Sequence, residues 1–187
     1  MYRCGIKPQT GKLLTTRMSW DDLTLPLPVL TDLQGLSLRL SAVGSGNSAP
    51  RYGPNPWTQN RFMFCGPSGT GKTLAAQLTA RALGAAMWKI PSASLVGRYI
   101  GETEKNLARI FKQARQTGWV LFFDEADALF GRRNGVNVHN SRYTNQELSY
   151  LLRRAGQYRG VVIISTLAKP YLGGHLRRLI DGIVEFS

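Results

Sequence analysis

The sequence predicts an α/β fold: a parallel five-stranded sheet flanked by helices. Two patterns carry that reading. Five short, largely apolar runs recur along the chain, at RFMFC (61–65), AMWKI (86–90), VLFF (120–123), VVIIS (161–165) and IVEF (183–186). Stretches with helical spacing lie between them. Strands of this kind, separated by helices, belong to parallel sheets covered on both faces.

Each element follows from its own residues. Residues 1–19 hold Arg3, Lys7, Lys12 and Arg17 and no acid, and read as a basic tail. Residues 20–60 read as a partly helical arm and linker. Pro26 and Pro28 precede a helix expected from about Thr31, and residues 41–60 are rich in Gly, Ser, Pro and Asn. The α/β domain then runs over 61–187. Its first helix is TLAAQLTARAL, stopping at Gly84. A second spans Glu102 to Gln116, with Leu107, Ile110, Phe111 and Ala114 on one face. Residues 131–141 form a polar, Gly/Asn-rich loop, and Tyr143 to Gly156 is a further helix.

Composition narrows the class. Hydrophobic residues make up 43% of 187, enough for a core. The net charge of +13 favours anionic partners, although the basic residues are scattered and do not alternate with aromatics as a nucleic-acid surface would. Cys4 and Cys65 form neither a metal-ligand spacing nor a disulfide framework. No apolar run reaches the length of a membrane span. A cytoplasmic protein is expected.

The chemistry concentrates in two motifs. Gly66-Pro67-Ser68-Gly69-Thr70-Gly71-Lys72-Thr73, followed by Leu74, fits G-x-x-x-x-G-K-[ST]. Its glycines let the backbone wrap so that N–H groups point at a phosphate. The helix that follows aims its N-terminus at the same charge. Lys72 then reaches the β- and γ-phosphates of ATP, and the Thr73 hydroxyl ligates Mg²⁺. A plain turn is the alternative, and the apolar strand before the stretch and the helical pattern after it weigh against it. The second motif, Val120-Leu121-Phe122-Phe123-Asp124-Glu125, delivers two carboxylates at the end of a buried strand, where open α/β sheets bind ligands. Asp124 is expected to hold Mg²⁺, largely through its water, and Glu125 to polarise the attacking water as the catalytic carboxylate.

GPSGTGKT, SLVGRYIGETEKNLARIF, LFFDEADALFGRR and RYTNQELSYLLRR together resemble the AAA+ ATPases of the P-loop NTPase superfamily. They look most similar to the bacterial branch that includes the ATPases of contractile injection systems, and WDDLTLP points the same way. The resemblance covers 61–187 well and 20–60 poorly. It implies an ATP- and Mg²⁺-dependent ATPase that works as a homo-oligomer, a hexamer in the family, on a polypeptide. It implies that Tyr99 and Ile100 lie in a central-pore loop and that Arg142 faces a neighbouring subunit. Arg177 and Arg178 match the family's arginine pair, which includes the finger that completes catalysis across the interface.

Three departures qualify the ATPase reading. Leu167 stands where the family places a polar sensor residue, with Thr166 as the candidate substitute. Gly173-Gly174 replaces an acidic turn before the two arginines, which could shift their register. The family's helical lid does not follow the last strand before Ser187. Two alternatives therefore stand beside a ring-forming remodelling or threading ATPase. One is a nucleotide-binding module with little turnover. The other, less favoured, is a nucleic-acid-handling ATPase that draws on the positive charge.

Overall fold

The computed structural model describes residues 10–44, 60–97, 99, 101–115, 117–130, 146–170 and 172–187. In chain order the elements are β1 (Lys12–Leu14), α1 (Leu27–Gly44), β2 (Arg61–Cys65), α2 (Lys72–Ala82), β3 (Met87–Pro91), α3 (Glu102–Ala114), β4 (Val120–Asp124), α4 (Gln146–Gly156), β5 (Val162–Thr166), α5 (Gly174–Arg177) and β6 (Gly182–Glu185). Short 3₁₀ turns at Trp20–Asp22, Ser92–Ser94 and Ala126–Phe130 complete them.

The strands form one sheet in the order β1-β3-β4-β5-β2-β6. Five of them are parallel, as the apolar runs predict. The sixth, β1, is an addition to the expected sheet: it pairs antiparallel with β3, Lys12 opposite Lys89 and Leu14 opposite Met87. It comes from the stretch read as a basic tail. The indole N–H of Trp88 anchors the segment by donating to the Thr10 carbonyl at 2.6 Å.

Strand alternation sends side chains to two separate cores. On one face Met63, Cys65, Trp88, Ile90, Leu121, Phe123, Val162 and Ile164 pack with Leu107, Ile110 and Phe111 of α3 and Leu148, Leu151 and Leu152 of α4. On the other, Phe62, Phe64, Met87, Val120, Phe122 and Ile163 pack with Ala75, Ala76 and Leu78 of α2 and Leu33 of α1. The small residues of α2 let that helix lie close to the sheet, which fixes where its N-terminus points.

Several boundaries differ from the sequence reading. The helix expected from Thr31 begins at Leu27, because Pro28 fits a first helical turn, where its missing N–H has no partner to lose. It also runs to Gly44, into the stretch read as linker. The strand read at 86–90 is Met87–Pro91, and α2 and α3 end at Ala82 and Ala114. Residues 45–59, the loop at 131–141, and 143–145 of the expected helix lie outside the described residues. Among the described residues no helix is long and apolar enough to cross a membrane.

Candidate functional site

The chain leaves β2 at Cys65 and turns through Gly66–Gly71 into α2. Two of those glycines are required by close approach. A Cβ on Gly66 would come within 2.2 Å of the Phe186 carbonyl oxygen. Gly71 caps α2 at φ 92°, and a Cβ there would meet Leu23 Cδ1 at 2.6 Å. The Gly66 N–H donates to the Thr166 carbonyl at 3.1 Å, tying the loop to β5. Thr70 Oγ1 donates to the Pro67 carbonyl at 2.9 Å.

Lys72 is buried, and its ammonium donates to the Gly66 and Pro67 carbonyls at 2.5 and 2.6 Å. Burial pushes its pKa down, and the negative charge of Asp124 opposes that shift. A cation held this way, with little water around it, is stabilised by an anion brought to it.

At the end of β4, Asp124 has both carboxylate oxygens engaged. Ser165 Oγ donates to Oδ1 at 2.9 Å, and Lys89 Nζ lies 2.7 Å from Oδ2. Ser165 Oγ also accepts the Glu125 N–H at 3.2 Å. Glu125 has φ 51°, in the left-handed region that side chains other than glycine rarely occupy. Asp127 Oδ2 accepts the Leu167 N–H at 2.9 Å and ties the turn after β4 to the end of β5.

These groups surround one cavity of about 390 Å³. Ser68, Gly69, Gly71, Lys72, Thr73 and Leu74 line one side, and Asp124, Glu125 and Thr166 the other. Gly66, Pro67 and Thr70 shape the loop without lining the cavity. Thr166 is buried, and among the described residues its hydroxyl has no hydrogen-bond partner apart from the neighbouring Cys65 thiol. Burial pushes that thiol's pKa up, and the Thr166 hydroxyl partly offsets the shift. Leu167 lines the cavity as an apolar side chain, 45% exposed.

Other residues singled out in the sequence lie elsewhere. Arg177 and Arg178 are exposed and do not line the cavity, and Arg177 Nη1 donates to the Ile180 carbonyl at 3.1 Å. Tyr99 is 75% exposed, with its backbone N–H donating to Glu102 Oε2 at 3.1 Å. Ile100 and Arg142 lie outside the described residues.

Sequence reasoning missed two residues, Ser165 and Lys89. Alternation along MWKIP puts Lys89 on the same face as Met87, and the register of β3 on β4 brings it toward Asp124. That signal was available in the strand pattern. Ser165 had none, since its role depends on β5 inserting between β2 and β4.

The donor set fits a polyphosphate with Mg²⁺. Backbone N–H groups at the start of α2 and the Lys72 ammonium suit phosphate. The Thr73 hydroxyl and Asp124 carboxylate are hard oxygen donors of the kind Mg²⁺ takes alongside phosphate and water. The partner-poor Thr166 hydroxyl adds a polar group to the same cavity.

Known proteins resemble this chain in sequence and in fold. The model of the family described as "ATPase family associated with various cellular activities (AAA)" matches residues 62–187. The chain is similar to the AAA family ATPase y4kL of Sinorhizobium fredii, 35% identical over 131 residues, covering 69% of this chain and 39% of that protein. It is also similar to the Cell division cycle protein 48 homolog of Archaeoglobus fulgidus, 36% identical over 113 residues, covering 58% of this chain and 15% of that one. Among solved structures, the FIGL-1 AAA domain in complex with ADP superposes with TM-score 0.64 at 22% identity, covering 95% of this chain and 58% of that chain. The chain thus spans well under two thirds of the length of these relatives. With the family match running from β2 through the last strand, and the loop, Lys72, Asp124 and Glu125 set around one cavity, the chain belongs to the AAA family of ATPases.

Proposed function

We propose that this chain binds Mg²⁺–ATP in the cavity and hydrolyses it as a subunit of a ring that remodels or threads polypeptides in the cytoplasm. The observation that carries the reading is convergence. Lys72 and Thr73 from the start of α2, and Asp124 and Glu125 from the end of β4, line one cavity of about 390 Å³. ATP supplies the phosphoanhydride bond to be broken, and Mg²⁺ neutralises and orients its oxygens. Lys72 exchanges the Gly66 and Pro67 carbonyls for phosphate oxygens. Thr73 and Asp124 hold the metal. Glu125 orients a water and takes its proton, from a backbone conformation held by Ser165. Thr166 offers its hydroxyl to that water or to the phosphate. Arg177 and Arg178, exposed and outside the cavity, act on a neighbouring subunit's nucleotide. Tyr99 and Ile100 grip the polypeptide, and Arg142 contacts the next subunit. The exposure of Tyr99 supports the pore assignment, because an aromatic surface grips varied sequence.

One observation favours a second reading, nucleotide binding with little turnover. Leu167 presents carbon to the cavity, where the family resemblance implies a polar sensor residue. Phosphate release and binding of a non-hydrolysable ATP analogue by the wild type and Glu125→Gln separate the two. The ATPase reading expects both proteins to bind the analogue and release to fall about a hundredfold or more in the variant. A wild type that binds but releases no more phosphate than the variant establishes the second reading.

A further inference from the structure

Lys89 sits on a sheet face otherwise built of Met87, Val120, Phe122 and Ile163, all packed under α2. A charge at the end of such a face needs a partner, and Asp124 Oδ2 is 2.7 Å away. Neither side chain is fully exposed: Lys89 retains 31% and Asp124 21% of its surface. Directly opposite Lys89, on the antiparallel edge strand, is Lys12. Facing residues in such a pair share one side of the sheet, and like charges there repel. That repulsion and the attraction of the carboxylate favour the same placement of the Lys89 ammonium, toward Asp124. Ser165 meanwhile donates to the other oxygen, Oδ1. The carboxylate assigned to Mg²⁺ is therefore already satisfied by this chain's own residues, and Lys89 borders the same cavity as Lys72 and Thr73.

We propose that Lys89 is a resident cation on the magnesium carboxylate: its ammonium holds Asp124 Oδ2, and would have to leave that oxygen for Asp124 to serve Mg²⁺ or a water on it. This rests on the Mg²⁺–ATP reading above. Lys89 is a positioning residue that acts through Asp124. It keeps the carboxylate aimed into the cavity and raises the Mg²⁺ concentration at which metal supports nucleotide binding. The displaced ammonium, on an unbranched four-carbon stem, stays at the cavity wall, where phosphate oxygens can receive it.

The test uses the full chain and a fluorescently labelled non-hydrolysable ATP analogue. Binding is followed while free Mg²⁺ is raised from an EDTA-buffered start. Lys89→Met is expected to lower the half-saturating Mg²⁺ concentration about two- to fivefold, the upper part of the range for losing a partly exposed ion pair. Lys89→Arg restores the competing cation and is expected to stay within about twofold of wild type. Lys89→Gln, neutral and polar, is expected to follow Lys89→Met and keeps the experiment decisive if the methionine variant does not fold, which melting in EDTA reports. Neutral variants with the wild-type Mg²⁺ requirement, or a higher one, overturn the role of Lys89 while leaving the ATP reading intact. A wild type that fails to bind the analogue with or without metal overturns the ATP reading, and this inference with it.

Discussion

Ser165 shows how much one hydroxyl can organise. It donates to Asp124 Oδ1 and accepts the Glu125 N–H, so it joins the proposed metal carboxylate and the proposed catalytic carboxylate through a single atom. It is buried, so water does not replace it readily. Removing it leaves Glu125 in a left-handed conformation with its amide unpaired, a state the backbone does not favour. Ser165→Ala is therefore expected to keep analogue binding within about threefold and to lower single-turnover phosphate release about ten- to a hundredfold, as losses of supporting partners do. Equal losses in binding and release would assign Ser165 a general structural role instead.

At the scale of elements, the base of the sheet is held by Asp181, between α5 and β6. Its Oδ2 accepts the Asn60 and Arg61 amides and Arg61 Nε, each at 3.0 Å, and Oδ1 accepts Arg61 Nη2 at 3.2 Å. The pair is largely buried, with 15% and 12% of the side chains exposed. This carboxylate thus fixes where β2 and β6 start, and so where the phosphate loop emerges at the other end. Asp181→Ala should cost about 2–4 kcal/mol in urea unfolding, because two amides and a guanidinium lose their acceptor together. A cost under about 0.5 kcal/mol would mean that water replaces the carboxylate. Elements of this central region were the legible ones. Phe62, Met63, Phe64 and Leu121, Phe122, Phe123 are covered on both faces, so apolarity alone marks their strands. β1 was illegible, since three residues carrying Lys12 show no strand pattern and depend on the edge of β3 and the Trp88–Thr10 hydrogen bond. The helix start at Leu27 was hidden because prolines read as breaks until one of them falls in a first turn. Within the candidate site, the loop and the two carboxylates were visible as motifs, whereas Ser165 and Lys89 became functional candidates through strand order and register.

For the whole molecule, the placement of the arginines matters most. Arg177 and Arg178 are exposed, at the end of a short helix that contributes nothing to the cavity lining. If they complete the site of a neighbour, phosphate release per subunit should rise with protein concentration as the oligomer forms. Arg177→Ala and Arg178→Ala should each bind the analogue normally, and at least one should lose about a thousandfold in release, the scale of an arginine finger. Light scattering alongside the kinetics checks that the variants still assemble. Specific activity independent of concentration, with both variants active, would remove the trans-acting arginine. The edge strand β1 bears on the same assembly from another direction. Among the described residues it covers Met87–Lys89 of β3, and it presents a rim of three residues that carries a lysine. Short, charged rims template further strands poorly. Among the described residues, that side offers a neighbouring copy little to gain by extending the sheet, so open-ended strand-to-strand polymerisation is discouraged there.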